Sequence, residues 1–210
     1  TYTDKTALEN TWNTSGKGVI TIDKTRAFSG TQSIKFNTGE GFSNHAFINL
    51  KSIFPVLENS FGGQFKMYVN EASKDGIHWT FLQASGTVKT KNYTAEVRYG
   101  GQHHKQFMAN YDTKGVKTDC WQHSKTKIPE QEWFTIKWYF SGTTNTMKLW
   151  LNDTLVEQIT VIDFGEGCVE NELDNKWVFP IFDTLSLGWA DYQTGGGNRT
   201  IWIDDVTIFN

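Results

Sequence analysis

Apolar and polar residues alternate with a period of two in many short segments of this 210-residue chain. In the clearest segment, 133–140, every second residue is large and apolar: Phe134, Ile136, Trp138 and Phe140. The residues between them include Thr135 and Lys137. Because successive side chains of a β-strand point to opposite faces, this pattern predicts a strand with one face in a core and the other in water.

Eleven segments of this kind are bounded by Gly, Asn and Asp residues. They are 32–36, 45–50, 64–70, 78–84, 93–99, 106–111, 133–140, 146–151, 155–162, 184–189 and 200–209. Helical patterns of useful length are few, so the sequence predicts an all-β fold, an antiparallel β-sandwich. No repeat, low-complexity tract or Pro-rich linker divides the chain, and residues 1–210 are predicted to form a single domain.

Charge and aromatic content narrow the choice of partner. The net charge is -3 and the pI is about 5.9, with the basic residues scattered along the chain. This gives no electrostatic footprint for nucleic acid or an anionic membrane, and we expect neither as a partner. Nine Trp, seven Tyr and fifteen Phe provide more aromatic surface than a core requires, and sugar rings stack on such surfaces. We expect a monomer.

The two cysteines, Cys120 and Cys168, are too few for a disulfide scaffold but could form one bridge in an oxidising compartment. Two free thiols are the alternative, and we favour the bridge. The chain begins at Thr1 with neither an initiator Met nor an apolar leader, which we interpret as the start of a processed product. The expected location is therefore secreted and extracellular.

The segment 93–104 places a cation, an amide and two imidazoles at the end of one predicted strand. Arg98 alternates with apolar neighbours and would share its strand face with Glu96, while Gln102 follows two glycines. A polar and bulky strand face of this kind can line a groove. The alternative is a single Arg on a solvated strand edge.

The five histidines show no spacing typical of a zinc centre, so we do not expect a zinc enzyme. His78 would share a strand face with Thr80, although a buried structural histidine is an equally good interpretation. His103 and His104 follow the glycines in a predicted turn, where surface histidines are the default.

Three alternating carboxylates, Glu170, Glu172 and Asp174, raise the possibility of a glycosidase, which needs two carboxylates close together. They lie between Gly and Asn residues without apolar alternation. A solvated acidic loop is the favoured interpretation.

A separate set of oxygen ligands comes from both ends of the chain: Glu9, the turn 28–33, and the pair Asp204 and Asp205. The first and last strands of a sandwich commonly lie side by side, so these groups could gather around a structural Ca²⁺. The alternative is that the two aspartates mark the solvent side of a strand and a bulge.

Several phrases together resemble the secreted cellulose-induced proteins of fungi and bacteria, which are similar in fold to the glucuronan lyases. They are Ser29-Gly-Thr-Gln-Ser33, His78-Trp-Thr80, Arg98-Tyr-Gly-Gly-Gln102, Asp119-Cys-Trp-Gln-His-Ser124, Leu185-Ser-Leu-Gly-Trp-Ala-Asp-Tyr192 and Trp202-Ile-Asp-Asp205. The resemblance covers nearly the whole chain and implies a β-jelly roll with bound calcium and a cleft for uronic-acid polymers. It implies that His78, Thr80, Arg98, Gln102 and Tyr192 are cleft residues and that Glu9, Ser33 and Asp204 are calcium ligands. At position 96 the family often has a histidine, whereas this chain has Glu96.

The chemistry of β-elimination gives each cleft residue a role. The proton on C5 of a uronate is weakly acidic beside its carboxylate, so a cation or an amide must first neutralise that charge. Arg98 and Gln102 could do this. His78 would then take the proton and Tyr192 would protonate O4 of the departing sugar, with His45 and His123 as reserve candidates for the base.

The sequence therefore predicts a polysaccharide lyase that acts on an acidic polysaccharide without a redox cofactor. A non-catalytic, calcium-stabilised carbohydrate-binding module is the main alternative. In that case Trp79, Trp121 or Trp189 would stack on sugar faces. A glycosidase built on Glu170 and Glu172 ranks last.

Overall fold

The computed structural model describes residues 5–90, 93–115, 118–169 and 174–209. The strands in chain order are β1 (Asn13–Ser15), β2 (Val19–Asp23), β3 (Ser33–Thr38), β4 (Ala46–Leu50), β5 (Ser60–Val69), β6 (Trp79–Val88), β7 (Tyr93–Gly101), β8 (Gln106–Thr113), β9 (Thr118–Lys127), β10 (Trp133–Ser141), β11 (Thr146–Leu151), β12 (Thr154–Leu155), β13 (Val161–Ile162), β14 (Gly167–Val169), β15 (Ile181–Asp191) and β16 (Arg199–Phe209). The helices in these ranges are α1 (Lys5–Glu9) and the short 3-10 turns Phe42–Asn44, Leu57–Asn59 and Glu157–Ile159. None of these helices has the length and apolar character needed to span a membrane.

The strands form two antiparallel sheets that pack face to face. The first sheet has the order β1-β4-β15-β6-β7-β8-β9-β14, and the second has the order β12-β11-β10-β5-β16-β3-β2, with β13 paired to β11. The predicted all-β antiparallel sandwich, which the family resemblance makes a jelly roll, is confirmed.

The core lies between the sheets and is rich in aromatic side chains. The predicted inner positions of β10, Phe134, Ile136, Trp138 and Phe140, are all at most 2 % exposed. Trp138 packs against Phe65 of β5, with ring centroids 5.5 Å apart. Burying one such side chain contributes about 1.5–3 kcal/mol, so this alternation is enough to hold the central strands in register.

The structure differs from the strands predicted from the sequence in one predicted segment and in four strands that were not predicted, β1, β2, β9 and β14. The segment 155–162 was expected to be one strand, but its middle forms the 3-10 turn Glu157–Ile159, which buries Ile159 between two short strands. The sequence pattern also missed β9, because Thr118–Lys127 is polar at almost every position. Its pairing with β8 supplies the regularity that side-chain hydrophobicity does not.

The predicted bridge between Cys120 and Cys168 is confirmed. The two cysteines are direct cross-strand partners, so the bridge fixes the edge strand β14 against β9. Glu170 and Glu172, the basis of the glycosidase hypothesis, lie outside the described residues. Asp174 is exposed and has a positive φ of 52°, a conformation that does not occur within a regular strand.

Candidate functional site

The outer surface of the first sheet, which we call the polar face, carries most of the predicted site residues. Strand register arranges its side chains in three rows that run across β6, β7, β8 and β9. The rows are Thr80, Gly100, Met108 and His123; then Gln83, Arg98, Asn110 and Trp121; then Ser85, Glu96, Asp112 and Asp119. Neighbouring strands are about 4.8 Å apart, so each row spans about 14 Å.

His78 and Tyr192 form a stacked pair at one end of the polar face. Their ring centroids are 4.6 Å apart and their planes are inclined by 23°. The Thr80 hydroxyl lies 3.4 Å from the Tyr192 hydroxyl, and the Arg98 guanidinium carbon lies 5.4 Å from the centre of the Tyr192 ring. The structure therefore brings together four of the predicted cleft residues.

The backbone around this pair is held from both sides. The Tyr192 amide donates to the His78 carbonyl at 2.8 Å, and the His78 amide donates to the Gln193 side-chain oxygen at 2.7 Å. Just before Tyr192, the buried carboxylate of Asp191 accepts hydrogen bonds from Ser73 and from the Trp189 indole. These contacts extend the pairing of β15 with β6 beyond the formal strand ends and fix where Tyr192 leaves the sheet.

The Gly-rich loop after Tyr192 is anchored by Glu40. The two carboxylate oxygens of Glu40 accept hydrogen bonds from the backbone amides of Gly195 and Gly197 at 3.1 and 2.8 Å. These two backbone hydrogen bonds are the main reason why the pKa of Glu40 is lowered. The loop at this edge of the polar face is therefore tied to the turn that precedes Phe42.

Arg98 is only 6 % exposed, and its guanidinium is already bonded within the protein. Nε and Nη2 donate to the Glu96 carboxylate at 3.2 and 2.7 Å, Nη2 donates to Asp112 at 2.7 Å, and Nη1 donates to the Asn110 side-chain oxygen at 3.0 Å. These bonds use four of its five N–H donors. Asn110 in turn donates to the Asp119 carboxylate at 2.5 Å.

This network makes the polar face richer in carboxylates than the sequence suggested. Glu96, Asp112 and Asp119 are direct cross-strand neighbours, and Arg98 is the cation among them. Burial raises the pKa of Asp119, and the adjacent Asp112 raises it further. Burial alone would lower the pKa of Arg98, but the neighbouring Tyr192, Glu96 and Asp112 outweigh this effect and raise it. Arg98 therefore stays charged while its charge is largely matched internally.

The pKa values of His78 and Tyr192, the two members of the stacked pair, shift in opposite directions. Burial lowers the pKa of His78 to about 3, with smaller contributions from Arg98 and His123, so its imidazole is neutral at neutral pH. Its Nε2 atom is buried and has no hydrogen-bond partner among the described residues. Burial raises the pKa of Tyr192, although Arg98 acts in the opposite direction, so its phenol is protonated at neutral pH.

An aromatic series extends from this pair toward the edge of the sheet. The ring of Phe42 stacks on Tyr192 at 5.1 Å, His45 lies 4.7 Å from Phe42, and Phe47 lies 5.5 Å from His45. Phe42 is 49 % exposed. His45 donates from Nδ1 to the Phe42 carbonyl, which holds its ring beside Phe42 rather than directed at the stacked pair.

Two other predicted residues, Gln102 and His123, occupy different surroundings. Gln102 lies beyond the end of β7, four residues or about 13 Å along the chain from Arg98, and its carbonyl accepts the Gly76 amide. His123 lies three strands from Thr80 and pairs with Glu166 at 2.7 Å. Register places the backbone of Gln102 beside His78, because its neighbour Gly101 is the partner of Trp79.

The prediction that Trp189 binds substrate is wrong, because Trp189 is completely buried. It stacks on Trp79 at 4.8 Å inside the core, so neither tryptophan presents a ring to a ligand. Of the three tryptophans assigned to a binding module, Trp121 alone lies half-buried on the polar face.

Sequence reasoning missed several residues that surround Arg98. Gln83 is its direct partner on β6, and Asn110 is its direct partner on β8. Asp112 and the exposed Phe42 were also overlooked. Alternation within the segment 106–111 would have placed Asn110 on a polar strand face. In 78–84 the same rule puts Gln83 with Trp79 and Phe81, and it is the bulge between Thr80 and Leu82 that brings Gln83 to the face of Arg98.

The four residues proposed as calcium ligands do not form a ligand set among the described residues, which contain no cluster of three or more acidic, His or Cys side chains suited to a metal. Glu9 pairs with Lys5 at 3.4 Å, and the Ser33 hydroxyl donates to the Arg26 carbonyl at 2.6 Å. Asp204 accepts the amides of Phe28, Ser29 and Asp205, and Asp205 accepts the Ser29 hydroxyl. Their oxygens therefore satisfy protein donors in this arrangement, and calcium remains a prediction.

The comparisons with known proteins agree with the fold. A solved structure titled "Cellulose induced protein, Cip1" superposes with a TM-score of 0.70 at 22% identity and covers 96% of this chain and 92% of that chain. An endo-beta-1,4-glucuronan lyase from the fungus Trichoderma reesei gives a TM-score of 0.66 at 14% identity, with coverage of 94% and 90%. The alginate lyase AlyC3 gives 0.54 at 10% identity, with coverage of 85% and 75%. No curated protein matches the sequence.

At these identities the structural neighbours establish the fold alone. The family is established by a sequence model, because the model for the Cip1-like core domain of polysaccharide lyase-like proteins matches residues 3–210. This match spans nearly the whole chain and agrees with the resemblance carried by the motifs around His78, Arg98 and Tyr192. The chain therefore belongs to the Cip1-like family of polysaccharide lyase-like proteins.

Proposed function

We propose that this protein is a secreted polysaccharide lyase that cleaves a uronic-acid-containing, glucuronan-type polysaccharide by β-elimination on the polar face. Family membership supports action on a polysaccharide, and one of the structural neighbours is itself a glucuronan lyase. The disulfide between Cys120 and Cys168 fits a protein that works outside the cell, where such bonds persist.

The observation that carries the proposal is the stacked pair of His78 and Tyr192. A buried, unpartnered imidazole nitrogen is rare in folded proteins, because leaving such an atom unsatisfied costs about 1–3 kcal/mol. Here that atom, Nε2 of His78, belongs to a ring 4.6 Å from a tyrosine ring on the same face. A neutral base and a protonated phenol side by side are the two groups that β-elimination requires.

The reaction moves one proton at each group. The His78 imidazole accepts the proton from C5, the C4–O4 bond breaks as a double bond forms between C4 and C5, and the Tyr192 hydroxyl protonates O4 of the leaving sugar. A pKa of about 3 makes free His78 a weak base. A bound uronate adds negative charge near the imidazole, which raises its pKa toward the value that proton transfer needs.

Neutralisation of the uronate carboxylate falls to the surroundings of Arg98. One N–H of its guanidinium is left after the bonds to Glu96, Asp112 and Asn110, and the amide of Gln83 lies directly opposite on β6. We assign the carboxylate to these two groups, and Gln102, which follows the end of β7 beside His78, stays a predicted cleft residue.

A non-catalytic carbohydrate-binding function is the second candidate, and one observation favours it. Because Glu96 and Asp112 already match the charge of Arg98, the polar face attracts an anionic sugar less than a free arginine would. The exposed ring of Phe42 and the half-buried ring of Trp121 could then stack on a neutral glycan.

One assay separates the two functions. The protein is incubated with a panel of polymers that includes polyglucuronate, alginate, polygalacturonate and a neutral β-1,4-glucan, and the ultraviolet absorbance of the unsaturated sugar is followed. We expect absorbance to rise with an acidic polymer and not with the neutral glucan. Binding to any of these polymers without a rise in absorbance would overturn the lyase and favour the binding module.

A further inference from the structure

The outer surface of the second sheet, on the opposite side of the sandwich, carries a group of aromatic and cationic side chains that the proposed reaction does not use. We call it the cationic face. Register places Lys35, Trp202, Tyr68 and Trp133 in one row across β3, β16, β5 and β10. Lys66 lies in the adjoining row and Lys137 in the row after it. These positions are the outward members of strands whose alternate residues form the core.

The rings and cations of this face are in contact. The Arg26 guanidinium lies 3.8 Å from the centre of the Tyr68 ring and 4.7 Å from that of Trp202. Lys66 lies 4.4 Å from the Phe28 ring, and Phe28 packs edge-on against Trp133 at 6.0 Å. Farther along, Lys137 lies 5.4 Å from the Trp150 ring and is its direct cross-strand partner.

Open ring surface remains at the margin of this cluster. Phe28 is 46 % exposed, and Trp133 and Trp150 are half-buried. Aromatic side chains on an outer strand face contribute little to the core. Their position beside lysines is the combination that holds a sugar ring and its charged substituent together.

The charges of the cationic face are only partly matched. Asp23 lies 3.7 Å from Lys35 and accepts the Trp202 indole N–H at 2.7 Å. Burial alone would raise the pKa of Asp23, but the hydrogen bonds from Trp202 and Thr25, with Lys35, outweigh it and lower the pKa to about 2. Asp204 and Asp205 are bonded to the loop at 28–29.

The remaining cations lack carboxylate partners of this kind. Lys66 donates to the neutral Thr135 hydroxyl at 2.6 Å, and no ion pair joins Lys66, Lys137 or Lys148 to a carboxylate in the described ranges. The cationic face as a whole, from Lys35 on β3 to Lys148 on β11, covers four strand spacings, or about 19 Å. A chain of several sugars can follow such a length.

We infer that the cationic face is a second binding site for an acidic polysaccharide, which it holds through its lysines and the rings of Phe28, Trp133 and Trp150. This inference shares its ligand class with the proposed function but not its site. A polysaccharide bound on the cationic face stays near the protein while the polar face binds another segment of the same polysaccharide or a second polysaccharide molecule.

The test compares two matched pairs of substitutions in a Tyr192→Phe background, which removes cleavage. Lys66→Gln with Lys137→Gln takes two charges from the cationic face, whereas Lys89→Gln with Lys114→Gln takes two exposed charges from turns elsewhere. Affinity for polyglucuronate is measured by titration calorimetry at low and high salt, with a neutral cello-oligosaccharide as the second probe. Equal melting temperatures confirm that the variants are folded.

We expect the first pair to weaken binding of polyglucuronate roughly three- to tenfold at low salt and less at high salt, and the second pair to leave it unchanged. Equal losses in both pairs would reduce the effect to net charge and overturn the inference. So would unchanged affinity in the first pair, equal affinity for the neutral probe, or no binding of polyglucuronate. Because cleavage does not enter this measurement, the second site can stand if the lyase proposal fails, and the reverse also holds.

Discussion

Both outer faces of this sandwich carry cations and aromatic rings, but they differ in whether carboxylates neutralise the cations. On the polar face, Arg98 is surrounded by Glu96 and Asp112, and the aromatic rings stack on histidines. On the cationic face, Arg26 covers two aromatic rings and the nearby Lys66 bonds only a hydroxyl. A cation between carboxylates organises a protein surface, whereas a cation over rings remains available to an anion.

This difference suggests a division of labour. The polar face is pre-organised, since its central guanidinium, amide and carboxylates hold one another in place before any ligand arrives. The cationic face offers charge and ring surface that a polymer can approach from many positions. Chemistry needs the first property and retention of a long chain needs the second.

The largest expected effect is a loss of catalysis when only the polar face is changed, and its absence would break the comparison between the two faces. Tyr192→Phe removes the proton donor while keeping the ring that stacks on His78. We expect kcat on polyglucuronate to fall by about 10²–10⁴-fold with little change in affinity, because general acid catalysis is worth that much. Initial rates of ultraviolet absorbance measure it.

Tyr139→Phe is the matched control, since Tyr139 is a half-buried tyrosine on the outer side of β10. Its activity should equal that of the unmodified protein. A Tyr192→Phe protein with full activity would remove the phenol from the reaction and, with it, the assignment of catalysis to the stacked pair.

The sequence was a good guide to the fold because burial alternates so regularly. The inner residues of β10 could be assigned from their spacing alone, since Phe134 and Trp138 have no polar competitor for the core. For β9 the same rule failed, because a strand held mainly by pairing with β8 and a disulfide needs few apolar residues. Strand pairing is a long-range property that local alternation does not encode.

The candidate site was only partly predictable for the same reason. His78, Thr80 and Tyr192 were identified from motifs, and they do lie together. The neutralisation of Arg98 depends on the register of β7 with β8, which brings Asp112 to it from 14 residues away. Trp189 shares its strand face with the buried Leu185 and Leu187, so alternation within 184–189 would have placed it in the core.

A smaller expected effect concerns the pH dependence of folding stability, which His78 on the polar face contributes to. In the unfolded chain His78 has an ordinary pKa near 6.5, and in the folded protein the pKa is about 3. Between these values the unfolded state binds a proton that the folded state excludes, so stability falls as the pH falls through this window. The slope is at most about 1.4 kcal/mol per pH unit, and below pH 3 this group adds no further dependence.

Urea unfolding at a series of pH values from 7 to 4 measures this slope. His78→Gln should flatten the curve, whereas His103→Gln, which changes an exposed turn histidine, should not. Asp23, with a pKa lowered to about 2, loses its contribution only as the pH falls below about 4, outside the measured range. Parallel curves for His78→Gln and the unmodified protein would show that the imidazole is not held neutral.

The smallest effect concerns Glu96, and it tests whether the carboxylates around Arg98 limit the binding of an acidic substrate. Glu96→Gln keeps the shape of the side chain and removes the negative charge that lies beside the Arg98 guanidinium. In the unmodified protein the Glu96 carboxylate accepts hydrogen bonds from Nε and Nη2 of Arg98. A unit charge several ångströms from a bound uronate is worth about 1 kcal/mol near a solvated surface. We therefore expect KM for polyglucuronate to fall about fivefold, with kcat changed much less, and the polar face to become electrostatically more like the cationic face. Glu58→Gln, at an exposed turn, is the control and should leave KM unaltered. A KM that stays the same in Glu96→Gln would mean that the uronate does not approach Arg98, and the neutralising role would then pass to Gln83 alone.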